Sequence, residues 1–99
     1  MAGFVPVDEE VLDLSEFFNT FGDPTRLRIL FLLRSGELGV HTISEQLSLQ
    51  QTTVSHQLKL LRYLRLVRYR KEGRGVYYSL NDDHIEKILK IGMEHIQEV

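Results

Sequence analysis

Two histidines and two carboxylates near the C-terminus have the types and the spacing of metal ligands. His84 and His95 lie eleven residues apart, so on a helix they point within about 20° of the same direction but are separated by about 16 Å. Glu98 follows His95 at the i, i+3 spacing that brings two side chains together. Asp82 precedes His84 by two residues, and a cap conformation at the helix start brings its carboxylate beside the ring. The spacing therefore predicts two half-sites, Asp82/His84 and His95/Glu98.

One metal ion cannot join both half-sites within a single chain, because zinc–ligand distances are about 2 Å. A second copy of the helix, running antiparallel about a two-fold axis near Ile88–Lys90, places the partner's His95 and Glu98 beside Asp82 and His84. Four nitrogen and oxygen ligands without an open position suit tetrahedral Zn²⁺ and tolerate Co²⁺. Acids and histidines also occur together on exposed helices that bind nothing, so the spacing alone leaves a solvated helix as the alternative.

The charges of the chain are unevenly distributed although its net charge is only −2. Residues 59–74 contain seven basic residues and one acid, whereas residues 1–19 contain five acids and no base. Such a basic segment attracts an anionic partner whatever the total charge. The length of 99 residues and the hydrophobic content of 42% predict one globular domain covering residues 1–99.

Several classes of protein are disfavoured by what the sequence lacks. There is no cysteine, which excludes a disulfide framework and a thiolate metal site. No apolar run approaches the ~18 residues of a membrane span, and the start MAGFVPVDEEV lacks the features of a signal peptide. No phosphate loop, G-x-S-x-G or H-E-x-x-H motif is present. We therefore expect a cytoplasmic protein that is not an enzyme and does not enter a membrane.

Hydrophobic periodicity predicts the helices that position these groups. An amphipathic helix is expected at residues 8–20, and a second one begins with Asp23 as N-cap and Pro24 at the first helical position, and closes at Gly36. Residues 42–64 read as a short helix, a turn and a longer helix, which together form a helix-turn-helix. Thr42 and Glu45 are expected to form a capping box at the start of the short helix, with His41 in the loop before it.

The remaining segments complete an α+β, mostly helical architecture. Apolar and polar residues alternate in the segment at residues 66–80, LVRYRKEGRGVYYSL, and glycines lie near its centre. This pattern predicts a two-stranded hairpin with a basic tip. A final helix is expected at residues 82–98. The order predicts a winged helix-turn-helix with additional N- and C-terminal dimerisation helices. The candidate dimer contacts are apolar residues of those two helices: Val11, Leu14, Phe17, Phe18, Ile88 and Ile91.

The polar face of the long helix and the basic hairpin are candidates for contact with double-stranded DNA. Short and amide-bearing side chains at the start of such a helix read base edges in the major groove, and basic side chains contact phosphates. The alternative is a solvated surface. The candidates for the helix start are Gln50, Gln51, Thr52, Thr53, Ser55, His56 and Gln57, and those for phosphates are Lys59, Arg62, Arg70, Lys71 and Arg74.

Three segments of the chain carry a specific resemblance: GDPTRLRILFLL, TISEQLSLQQTTVSHQLKLLRYLRLV and GRGVYYSL. Together they resemble the ArsR/SmtB family of bacterial metal-responsive repressors. The resemblance extends over residues 15–98 and implies a homodimer that binds imperfect palindromes in promoters of metal-resistance and metal-efflux genes. D-x-H-(x10)-H-x-x-E at Asp82, His84, His95 and Glu98 matches the zinc/cobalt motif of the family's terminal helix. The family's other site uses cysteines, so sensing of thiophilic arsenic, lead or cadmium through that site is not expected here.

The resemblance also implies how metal and DNA communicate. A zinc bridge between two terminal helices fixes the angle between subunits and so the spacing of the two DNA-reading helices, and we therefore expect zinc to weaken DNA binding. The resemblance implies a relay, in which the ligand histidine that corresponds to His95 donates its free ring N–H towards the backbone near Arg65. We therefore expect a zinc-responsive repressor whose release activates metal efflux or sequestration genes. The alternatives are a non-sensing winged-helix module for protein interaction or dimerisation, and a zinc-storage protein or metallochaperone that binds metal without specific DNA binding.

Overall fold

Helices and a small sheet alternate along the chain in this computed structural model, which describes residues 3–98. The elements are α1 (Asp8–Phe21), α2 (Pro24–Leu33), β1 (Leu38–Gly39), α3 (Val40–Leu47), α4 (Gln51–Tyr63), β2 (Val67–Glu72), β3 (Gly75–Leu80) and α5 (Asp83–Gln97). The predicted α+β, mostly helical class is confirmed. Of the single domain expected at residues 1–99, residues 1, 2 and 99 lie outside the described range.

Helix α2 lies at the centre because almost no side of it is polar. The Asp23 side chain accepts a hydrogen bond from the backbone N–H of Arg26 at 2.9 Å, and Pro24 occupies the first turn, as the sequence predicts. Ile29 and Leu30 are fully buried. The helix ends at Leu33, before the predicted Gly36, and a short turn follows. Gly36 has a φ of +135°, which only glycine adopts readily.

The start of α3 corrects two predictions. The helix begins at Val40 with Gly39 as N-cap and without a side-chain cap, so the capping box predicted at Thr42 and Glu45 is wrong. His41, expected in a loop, is a helical residue. The physical reason is strand β1, which pairs with β3 as far as Gly39 and leads directly into the helix. Tertiary pairing therefore outweighs the local capping motif.

The turn between α3 and α4 is closed by backbone hydrogen bonds. Ser48 adopts a left-handed conformation with φ of +54°, and the N–H of Leu49 donates to the carbonyl of Ser44 at 3.0 Å. Helix α4 then presents three fully buried side chains to the core, those of Val54, Leu58 and Leu61. The rest of the domain covers this apolar stripe, and the opposite face of α4 is exposed.

The sheet is antiparallel with the strand order β1-β3-β2. The hairpin pairs Val67 with Leu80 at its base and Glu72 with Gly75 at its tip. A Cβ at Gly75 would lie 2.8 Å from the ring of Tyr77, so a side chain there would require this ring to shift. Strand β1 was not predicted from the sequence, since two residues are too short to show an alternating pattern.

Helix α5 is half packed and half exposed. Ile85 and Leu89 are buried against the core, whereas every side chain from Lys90 to Glu98 is exposed. The helix runs from Asp83 to Gln97, with Asp82 as N-cap and Glu98 in an extended conformation, so it is one residue shorter at each end than the predicted helix 82–98. Within residues 3–98 no helix combines the length and the apolarity needed to cross a membrane.

Candidate nucleic-acid interface and metal centre

The N-cap and the exposed face of α4 carry most of the side chains on this helix that are predicted to contact DNA. Those of Gln50, Gln51, Thr52, Thr53, His56 and Lys59 are exposed, and Ser55 is half-buried at the edge of this face. Gln57 differs, because its Oε1 is buried and has no hydrogen-bond partner among residues 3–98. The structure thus brings the predicted base-reading residues together on one surface, with the exception of Gln57.

Arg62 connects α4 to the hairpin. Its guanidinium carbon lies 3.9 Å from the centroid of the Tyr69 ring on β2, a distance at which the cation and the aromatic face attract each other. Arg62 also borders a shallow open groove with Lys59 and Tyr63. The contact places a positive charge between α4 and the hairpin, and Tyr69 was not among the residues predicted from the sequence.

The basic residues of the hairpin are not equivalent. Arg70 is held within its own chain, with Nη2 at 2.7 Å from Glu37 Oε1 and Nη1 at 2.8 Å from Glu72 Oε2. The hydrogen bond from Arg70 lowers the pKa of Glu37, and the two carboxylates raise the pKa of Arg70. Lys71 and Arg74 are exposed and have no ion-pair partner in the described part of the chain. They are the stronger candidates for phosphate contacts.

The first predicted half-site, Asp82/His84, lies at the start of α5. Asp82 caps the helix, and its Oδ1 accepts hydrogen bonds from the backbone N–H groups of His84 at 3.0 Å and Ile85 at 3.3 Å. The same oxygen lies 3.5 Å from Nδ1 of His84. Partial desolvation raises the pKa of Asp82, but hydrogen bonds from Ile85, Asn81 and His84 outweigh it, so the pKa is below its ordinary value. The cap therefore brings an ionised carboxylate beside an exposed imidazole.

The second predicted half-site, His95/Glu98, lies at the other end of the same helix. His95 is exposed in the last turn, and Glu98 follows the helix with its N–H donating to the carbonyl of Glu94 at 3.0 Å. In the described range 3–98, no three histidine or carboxylate side chains converge on one point. Asp82/His84 and His95/Glu98 are thus separate pairs within one chain.

Apolar side chains are also exposed on α1 and on α5. Val11, Leu14 and Phe18 of α1 are 40%, 50% and 53% exposed, and Ile91 and Ile96 of α5 are 63% and 77% exposed. Phe18 and Ile96 line one groove together, and exposed apolar surfaces that join in this way mark interaction sites. Between the helices lies a groove lined by Phe18, Phe21, Leu27, Phe31, Ile88, Leu89, Gly92, Met93 and Ile96.

Comparison with known proteins decides the family. The model of bacterial regulatory proteins of the arsR family matches residues 23–69. The chain is 40% identical over 90 residues to a transcriptional repressor SmtB homolog of Synechocystis, covering 91% of this chain and 68% of that protein. This chain belongs to the ArsR/SmtB family. A cadmium resistance regulatory protein CadC homolog of Staphylococcus aureus is 37% identical, over 89% of this chain and 74% of its own length.

The structural comparison agrees with this assignment. The homodimeric winged helix-turn-helix DNA-binding domain of a possible ArsR-family regulator from Mycobacterium bovis superposes with a TM-score of 0.85 at 27% identity, covering 99% of this chain and 92% of that one. The predicted winged helix-turn-helix fold and the resemblance to the family are confirmed. This ArsR/SmtB protein is accordingly a DNA-binding transcriptional repressor and not an enzyme, and its structural neighbour is a homodimer.

Proposed function

We propose that this protein is a zinc-responsive homodimeric repressor that leaves operator DNA when zinc binds between its subunits. Each site takes Asp82 and His84 from one protomer and His95 and Glu98 from the partner. The observation that carries the proposal is the placement of an aspartate–histidine pair at the start of α5 and of a histidine and a glutamate at its exposed end.

The donor set favours zinc. Two imidazoles and two carboxylates fill a tetrahedral shell, which suits Zn²⁺ and accommodates Co²⁺. One relative is named for cadmium resistance, but this chain has no cysteine, and soft cations are held best by thiolates. A full shell of protein ligands would serve as a structural clamp, because a hydrolytic zinc keeps a position for water.

Two antiparallel copies of α5 bring the half-sites together. The side chains beyond Leu89 are exposed in the single chain, and a Cβ added at Gly92 would meet nothing within 4 Å. This surface is open to a second helix, and a two-fold axis near Ile88–Lys90 makes the contact self-complementary. The apolar residues of α1 and α5 supply the contact area in the absence of metal.

The proposed DNA contacts follow from the same symmetry. A dimer presents two copies of α4, so its operator is an imperfect palindrome whose half-sites are about one helical turn apart. The residues proposed to read bases are Gln50, Gln51, Thr52, Thr53, Ser55 and His56, and those proposed to contact phosphates are Lys59, Arg62, Arg70, Lys71 and Arg74. Arg70 serves in this set only if its carboxylate partners release it. The regulated genes are those of metal efflux or sequestration.

Zinc would act on DNA through the geometry of the dimer. Bridging two α5 helices fixes the angle between subunits, and that angle sets the separation of the two α4 helices. The proposed relay runs from the free ring N–H of His95 to the carbonyl of Arg65. Arg65 has a φ of +63° at the junction of α4 and β2, and no backbone N–H of the described chain donates to its carbonyl. Such outer hydrogen bonds orient metal ligands.

Mixed dimers test the shared site directly. A His84→Ala protomer paired with a His95→Ala protomer retains one complete site, because the mutations fall together in the other site. We expect one tightly bound zinc ion per mixed dimer and none for either variant alone. The matched control pairs a His84→Ala/His95→Ala protomer with a wild-type one, which spreads the same number of mutations over both sites and should bind no zinc tightly.

The two mixed dimers are prepared with different affinity tags on their protomers and their zinc content is measured by equilibrium dialysis. Equal zinc binding by the two mixed dimers would contradict a site built from both chains. Absence of tight zinc binding by the wild-type dimer would instead favour the non-sensing winged-helix module.

A further inference from the structure

His41 connects the first helix of the helix-turn-helix to the first residue of the second. Its Nδ1 lies 3.0 Å from Nε2 of Gln51 at the start of α4. Its Nε2 lies 3.0 Å from Oε1 of Glu45, one turn further along α3. The side chain of His41 is 70% exposed, yet both of its ring nitrogens have a partner. The ring is therefore oriented on a surface where histidines are usually free to rotate.

Glu45 determines which ring nitrogen carries the proton. An ionised carboxylate only accepts hydrogen bonds, so Nε2 of His41 donates to Glu45. In this tautomer Nδ1 carries no proton and accepts a hydrogen bond from the amide nitrogen of Gln51. The contact uses one amide N–H of Gln51 and leaves its carbonyl oxygen and its second N–H for another partner.

The geometry points to His41 as a positioning residue for sequence reading. We infer that it holds the Gln51 amide, with Glu45 fixing the ring, so that the remaining N–H and the carbonyl oxygen meet an adenine of the operator. A glutamine amide pairs with adenine through these two groups in the major groove. The inference rests on the proposed role of Gln51 in reading DNA.

The contact adds specificity because it prevents rotation of the amide. A free glutamine side chain exchanges the positions of its oxygen and nitrogen and adapts to different base edges. Held by His41, the Gln51 amide presents a fixed order of donor and acceptor, so another base meets a mismatched group. A side chain already in its bound conformation also loses less freedom on binding.

Two conservative variants separate this role from a general effect of the side chain. In His41→Asn, the Oδ1 atom takes the place of Nδ1 and accepts from Gln51. In His41→Gln, the amide extends towards the position of Nε2, and no acceptor remains at the position of Nδ1. Both variants place a neutral amide at an exposed helical position, where substitutions change stability little.

The operator is first selected from a randomised duplex pool by the wild-type protein, and the affinity of each variant is then measured for operators altered one base at a time. Gln51→Ala should remove the preference for adenine at one position of each half-site. His41→Gln should reduce the preference for adenine roughly 3- to 10-fold, whereas His41→Asn should retain most of this preference. In a Gln51→Ala background, His41→Gln should change nothing further.

The side-chain amide resonance of Gln51 in ¹⁵N NMR spectra of the DNA-free protein provides a second readout. It should shift in His41→Gln and stay near its wild-type position in His41→Asn. The inference is overturned if Gln51→Ala leaves base preference intact, or if His41→Gln does so while Gln51→Ala removes it. It is also overturned if His41→Gln weakens binding to all sequences equally, which indicates a phosphate contact. A wild-type protein that selects no sequence contradicts the proposed function itself.

Discussion

Helices α4 and α5 both carry an apolar stripe at helical spacing, but only the stripe of α4 is fully covered by other residues of its own chain. Leu58 and Leu61 of α4 are fully buried, whereas on α5 the burial of Ile85 and Leu89 gives way to Ile96, which is 77% exposed. The period of a sequence identifies an apolar face without stating what covers it. Here α4 is fixed by the domain and displays its polar side to DNA, while the second half of α5 is left for a partner.

The largest expected effect concerns the burial of α4. Leu58→Ala should lower the free energy of unfolding by about 2–5 kcal/mol, because it removes a fully buried side chain and leaves a cavity. Leu60→Ala, two residues away and 38% exposed, should cost about 0.5 kcal/mol or less. Urea unfolding followed by circular dichroism compares the two. Similar midpoints would mean that α4 is not packed as described.

The corresponding change on α5 should affect assembly. Ile91→Glu places a charge in the proposed dimer surface and should raise the dimer dissociation constant by roughly 100-fold or more, since the side chain is lost from both subunits. Leu60→Glu introduces the same group on α4 and should leave the dimer intact. Sedimentation of the metal-free proteins at micromolar concentration decides. A monomeric wild-type protein would contradict a dimer that forms without metal.

The wing offers a smaller effect with an internal control. Lys71→Ala and Arg74→Ala should each weaken binding to all sequences and reduce the salt slope of the affinity by about 1. Arg70→Ala should change the slope less, because Arg70 is already paired with Glu37 and Glu72. An equal change for Arg70→Ala in salt titrations would show that DNA displaces the carboxylates. A change of base preference in Lys71→Ala or Arg74→Ala would contradict their assignment to phosphates.

Loss of the Glu37–Arg70 pair should have the smallest effect on stability, and the direction of its pH dependence is defined. The folded protein lowers the pKa of Glu37 below 4.5, so its contribution to stability is present above about pH 4.5 and is lost as the pH falls through the lowered pKa. The stability difference between wild type and Glu37→Gln should be constant from neutral pH to about 4.5 and then shrink. A difference that grew on acidification would contradict the pairing.

The sequence predicted what depends on local period and spacing. The helix-turn-helix, the hairpin and the Asp23 cap follow from patterns within a few residues, as does the Asp82/His84 pair. Contacts between distant segments were not predictable in the same way. Glu37 meets Arg70 across 33 residues, and β1 exists only because β3 is beside it. For this reason the predicted start of α3 was wrong, and the contact between His41 and Gln51 was not predicted.

Zinc bound at the ends of α5 should weaken DNA binding by α4. The direct measurement is the affinity of the wild-type dimer for its selected operator, by fluorescence anisotropy, with and without saturating Zn²⁺, and the same for His84→Ala and His95→Ala. Zinc should weaken wild-type binding by roughly 5- to 150-fold or more. Both variants should bind like the metal-free wild type and not respond. A response that survived in His95→Ala would contradict only the site, whereas wild-type affinity that stayed constant or rose with zinc would contradict the account.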